Sequence, residues 1–115
     1  MIFGYKSSKK EGMNVFLLQG ELIDRSQADE MMKEVETAVA AGESFIVLNL
    51  AELKYLNSSG LNILINILTK SRKAGGDVAI CNINKKINEL LVITKLNSVF
   101  NVCDSEEKAI STLKK

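Results

Sequence analysis

From Phe45 to Leu50 the chain reads Phe-Ile-Val-Leu-Asn-Leu, a nearly continuous apolar run of the kind a parallel sheet buries on both faces. After Asn57 the rhythm changes to that of an amphipathic helix. Leu61, Leu64, Ile65 and Leu68 share one side, Asn62, Asn66, Lys70 and Lys73 the other, and Gly75-Gly76 stop it. Val78 to Ile83 reads as a second buried strand. Lys85 to Thr94 reads as a helix with Ile87, Leu90 and Leu91 turned inward, while Val92 and Ile93 carry its apolar surface beyond one stripe and leave it sticky. A short strand around Val99 to Val102 follows, and Ser105 caps a last helix that buries Ala109, Ile110 and Leu113. Towards the N-terminus, Met1 to Tyr5 is expected to pair as an edge strand, with Lys6 to Gly12 as a polar turn. Met13 to Gln19 is a strand ended by Gly20. Ser26 followed by Asp29 forms a capping box for a helix with the stripe Ala28, Met31, Met32, Val35, Ala38 and Val39, closed by Gly42.

Strands alternating with helices after position 20 predict right-handed crossovers and a largely parallel α/β sheet, with the N-terminal hairpin adding an antiparallel edge. At 115 residues the chain is read as a single domain, 1–115, large enough for its own core. A net charge of +1 gives no overall field to attract nucleic acid, so Lys9-Lys10, Lys85-Lys86 and Lys114-Lys115 read as solvated surface charge. No apolar run is long enough to span a bilayer and no signal-peptide pattern precedes one. Cys81 in a predicted strand and Cys103 in a predicted loop then read as reduced thiols in a cytoplasm, with Cys81 a core residue. The chain has no histidine, which removes the commonest general base and metal ligand together. No Gly-x-Gly-x-x-Gly or Walker loop is present, and Glu21, Asp24, Asp77 and Asp104 form no recognisable catalytic pair. These features favour a binding module over an enzyme and call for no cofactor.

The chemistry concentrates where the Phe45–Leu50 strand gives way to the helix. Asn57 is a good N-cap, and Ser58 and Ser59 fall in the first turn, where backbone N–H groups lack intrahelical partners. A hydroxyl there lies beside the positive end of a helix, in a loop a partner can reach, and phosphorylation turns it into an anion that this end tolerates. Gly60 removes bulk one step later, which reads as room for another molecule to approach the backbone, and Leu61 anchors the helix to the core.

Asn57-Ser58-Ser59-Gly60-Leu61 closely resembles the Asp-Ser-Ser-Gly-Leu signature of the STAS family, specifically its bacterial anti-sigma factor antagonists. The flanks agree: Ile46 to Leu50 is similar to the strand before that signature, and Lys73-Ala74-Gly75-Gly76 to the helix end. Asn88-Glu89-Leu90-Leu91 resembles the next helix and Asp104 to Ala109 the start of the last, so the likeness runs from about Val15 to Leu113. It implies a mostly parallel central sheet of four to five strands, with about four helices packed largely on one side.

The resemblance also implies a mechanism of partner switching. Ser58 takes the place of the serine phosphorylated in the family. The implied partner is an anti-sigma factor that is also a serine kinase of the histidine-kinase-like ATPase fold. The unphosphorylated chain binds it and frees a sigma factor, phosphorylation releases it, and a metal-dependent serine phosphatase resets the cycle. Asn57, Ser58, Ser59, Gly60 and Asn62 then form the partner surface, with Asp24 and Arg25 from the loop Gly20-Glu21-Leu22-Ile23-Asp24, which resembles the family's Gly-Glu-Leu-Asp turn. Two departures stand out: Ile23 is an extra residue, and Asn57 replaces the usual aspartate. The rival reading is a STAS subunit that is not phosphorylated and grips the ATPase of a lipid-transport ABC system.

Overall fold

The structure is a computed structural model and describes residues 2–114. Five strands form one sheet in the order β1-β2-β3-β4-β5: β1 Gly4–Lys10, β2 Met13–Leu22, β3 Phe45–Leu56, β4 Asp77–Cys81 and β5 Asn101–Cys103. β1 is antiparallel to β2, and every later pair is parallel. The helices are α1 Asp29–Ala40, α2 Ser58–Lys73, α3 Lys85–Ile93 and α4 Glu106–Leu113.

This order explains where the helices lie. The parallel strands advance one place at a time in one direction, so right-handed crossovers put α1, α2 and α3 on the same face. Phe16, Leu18, Ile46, Leu48, Val78 and Ile80 point into that layer and meet Met31, Val35, Leu64, Ile67, Ile87 and Leu91. The opposite face, with Val15, Val47, Ala79 and Cys81, is covered by Ala109, Ile110 and Leu113 of α4. Burial pushes the Cys81 thiol up to about 12, as suits a core residue, and the negative charges of the Glu106 carboxylate and of Cys103 act in the same direction.

Four local expectations need correction. Lys6 to Lys10 is strand, not turn: it pairs with Met13 to Leu17, and Glu11-Gly12 alone make the reversal, both at positive φ (52° and 82°) as a two-residue hairpin requires. Met1, assigned to the edge strand, lies outside the described residues, as does Lys115. Gly20 does not end β2. At φ +83° it sits where the β2–β3 register slips, and a Cβ there would lie 2.2 Å from the Ile2 carbonyl oxygen. Cys103 is in β5, in register with Cys81, rather than in a loop. Finally, the capping box is Asp24–Gln27 on a short 3-10 turn, Arg25–Ala28, and not Ser26–Asp29.

The bulges carry β3 on to Leu56, in register with Leu22 at the end of β2. The two strands stop side by side, so the segments that follow them, Ile23-Asp24 and Asn57-Ser58, emerge together at the carboxyl end of the sheet. Loops at this end are where open parallel sheets carry their sites.

Candidate functional site

Asn57 holds this corner together with its whole amide group. Its Oδ1 accepts the Gly60 N–H at 3.0 Å, capping α2, and its Nδ2 donates to the Ile23 carbonyl at 3.0 Å. Its own N–H points to the Leu22 carbonyl at 3.4 Å, and its carbonyl accepts the Leu61 N–H at 2.8 Å. The Ile23 carbonyl takes its donor from asparagine, and an aspartate at position 57 would have none to offer. Asn57→Ala is expected to lose about 1–3 kcal/mol, since cap and loop tie go together. Asn57→Asp should fall between that variant and the parent, keeping the cap and gaining about 0.3–1 kcal/mol from the helix dipole while losing the donor. The order of urea midpoints checks this.

With the cap in place, Ser58 and Ser59 open α2 with both side chains exposed, and neither hydroxyl makes a side-chain hydrogen bond among the described residues. Gly60 does something other than expected. It is buried, and an added Cβ would lie 2.2 Å from the Leu22 carbonyl oxygen and 2.9 Å from Leu56 Cβ. Its missing side chain lets α2 press on the chain's own loop; it leaves no space for a partner. Leu61 is buried as the anchor, and Asn62 lies exposed on the outer side of α2.

Asp24 and Arg25 are exposed, and Asp24 is engaged locally. Its Oδ1 accepts the Ser26 N–H at 3.3 Å, while Gln27 Oε1 accepts the N–H groups of Ile23 and Asp24 at 2.9 and 3.0 Å. Arg25 opens onto a separate groove between α1 and α2, shared with Asp29, Glu36 and Lys70. Neither residue lines the groove that holds Ser58.

That groove, about 460 Å³, runs between the end of β3 and α3 and joins Ser58 to Tyr55, Lys86, Glu89, Leu90 and Ile93. Tyr55 is 44 % exposed and Ile93 78 %, so an apolar patch borders the serine. The stickiness of Ile93 is legible in the sequence; its position beside Ser58 is not. Lys86 carries no sequence signal either. Asn84 places it, capping α3 through the Ile87 N–H at 2.9 Å and donating to the Leu53 and Lys54 carbonyls, each at 3.2 Å. No cluster of three or more metal-ligating side chains occurs among the described residues, and no helix there is long and apolar enough to cross a membrane.

A family model described as STAS domain matches residues 6–109. The Anti-sigma F factor antagonist of Paenibacillus polymyxa is 28 % identical over 103 residues, covering 89 % of this chain and 87 % of the relative. A crystal structure of an anti-sigma factor antagonist from Mycobacterium paratuberculosis superposes with a TM-score of 0.83 at 19 % identity, covering 98 % of this chain and 95 % of that one. The Bacillus cell fate determinant SpoIIAA in its phosphorylated form gives 0.76 at 20 % identity, covering 95 % and 98 %. These likenesses bear out the α/β architecture, with its antiparallel β1–β2 edge and four helices.

Proposed function

Because this chain belongs to the STAS domain family, we propose that it is an anti-sigma factor antagonist whose whole length, 1–115, works as one such domain in the cytoplasm. Its unphosphorylated form binds an anti-sigma factor that is also a serine kinase of the histidine-kinase-like ATPase fold, and so frees a sigma factor. The kinase transfers the γ-phosphoryl group of ATP to Ser58 Oγ. The new P–O bond forms as the bond to the ADP oxygen breaks, and the hydroxyl proton leaves to a base on the kinase. A metal-dependent serine phosphatase hydrolyses the ester and restores the hydroxyl. The chain is substrate and switch in this cycle and catalyses none of it.

The observation that carries the reading is the presentation of Ser58: exposed, in the first turn of α2, on backbone held by Asn57. The names of the relatives support the antagonist role. SpoIIAA gives nearly the same fold likeness in its unphosphorylated and phosphorylated forms, TM-scores 0.77 and 0.76, which suits a switch that leaves the fold alone. Ser59, Asn62 and the outer face of the Asn57 corner belong to the contact surface, with Asp24 and Arg25 at its margin. Gly60 shapes that surface from beneath.

Incubation with the kinase encoded beside the gene, ATP and magnesium is expected to add one phosphate, which mass spectrometry places on Ser58. Ser58→Ala should abolish the incorporation. Phosphate on Ser59, on another residue, or on none would overturn the assignment.

A further inference from the structure

Among the described residues Lys54, at the end of β3, and Lys85 and Lys86, at the start of α3, make no ion pair with a carboxylate. Of these, Lys86 alone lines the groove. Its helix cannot drift from the serine, because Asn84 ties the start of α3 to the backbone of Leu53 and Lys54 at the end of β3. Tyr55, Leu90 and Ile93 line the same groove, so the space that Lys86 and Ser58 share is bordered by apolar side-chain surface as well as by water.

Building on the reading of Ser58 as the acceptor, we infer that Lys86 receives the phosphoserine within the same molecule, as an ion pair spanning the groove. Phosphate carries nearly two negative charges and three acceptor oxygens, and an ammonium on a flexible stem is a suitable point partner for it. The pair lies over Tyr55, Leu90 and Ile93. Modification therefore does two things: it places charge at the contact surface, and it covers the apolar side chains beside it. The elements meeting here also carry Glu52, Lys54 and the Tyr55 phenol on β3, Lys85 and Glu89 on α3, Lys70, Arg72 and Lys73 at the far end of α2, and Asp24 and Arg25 after β2. Glu89 also lines the groove and opposes the phosphate, and Lys86 is the cation that shares this lining with Ser58.

The test uses the full chain with phosphoserine incorporated genetically at position 58, and phosphorus NMR to follow its second ionisation. In the parent, the midpoint is expected about 0.5 lower than in Lys86→Gln, the size an exposed pair supports. Lys86→Arg should keep the parent value, and Lys85→Gln should leave it in place. Equal midpoints in the parent and Lys86→Gln, or the same rise from Lys85→Gln, would overturn the pairing. The phosphate is installed without a kinase, so such a result refutes the ion pair alone. Failure of the kinase to modify Ser58 refutes the switch.

Discussion

Gly60→Ala is expected to destabilise the chain by about 2–3 kcal/mol, despite alanine being the better helix former. The helical preference supplies at most about 1 kcal/mol in the opposite direction. The added methyl carbon would stand 2.2 Å from the Leu22 carbonyl oxygen, 2.9 Å from Leu56 Cβ and 3.2 Å from the Leu22 carbonyl carbon. A flexible side chain would move aside. Here the obstacle is backbone, and the same Leu22 carbonyl accepts the Asn57 N–H. Relief therefore means lifting the start of α2 off the loop after β2, which also disturbs the Asn57–Ile23 tie. A urea midpoint lowered by about 1–2 M reports the loss. An unchanged or raised midpoint would mean that α2 does not press on the loop as described.

Phosphorylation of Ser58, or its imitation by Ser58→Asp, is expected to weaken kinase binding by about 100- to 1,000-fold while the fold persists. The charge lies at the N-terminal end of α2, where it gains about 0.3–1 kcal/mol from the helix dipole. The same charge must lose its water against a surface shaped for a neutral hydroxyl, a penalty of about 3–4 kcal/mol. The second quantity exceeds the first, so binding suffers and the fold does not. Ser58→Ala should bind like the parent, because the hydroxyl is exposed and makes no side-chain hydrogen bond among the described residues. Equilibrium titration with the purified kinase compares all three.

The order and type of the elements after position 20 are readable because the sheet is buried on both faces, which makes Val78 to Cys81 apolar throughout and Phe45 to Leu50 apolar except at Asn49. Strand ends were harder to read for two opposite reasons. Lys6 to Lys10 is exposed throughout, so β1 has no apolar alternation to announce it. In β3 the bulges put buried leucines at every third position, Leu50, Leu53 and Leu56, and the two-residue rhythm disappears. The same holds at the site. Asn57 and Ser58 follow from capping rules that act locally in sequence. Gly60 is ambiguous in the sequence because a small residue looks alike whether it admits a partner or, as here, the protein's own backbone. The Asp24–Gln27 capping box is hidden in the sequence because Ser26 and Asp29 carry a similar pattern nearby. The closeness of Lys86 and Ile93 to Ser58 depends on how α3 packs against the end of β3, which no local pattern encodes.

The most direct measurement is the affinity of the kinase for the chain carrying phosphoserine at position 58, set beside the unmodified chain, with amide NMR spectra of both. Binding weaker by about two to three decades, with spectral changes confined to the corner formed by Asn57, Ser58 and the start of α3, is the predicted result. Equal affinities, or a phosphorylated chain whose amide spectrum changes throughout the sheet, would contradict a switch that acts by local charge.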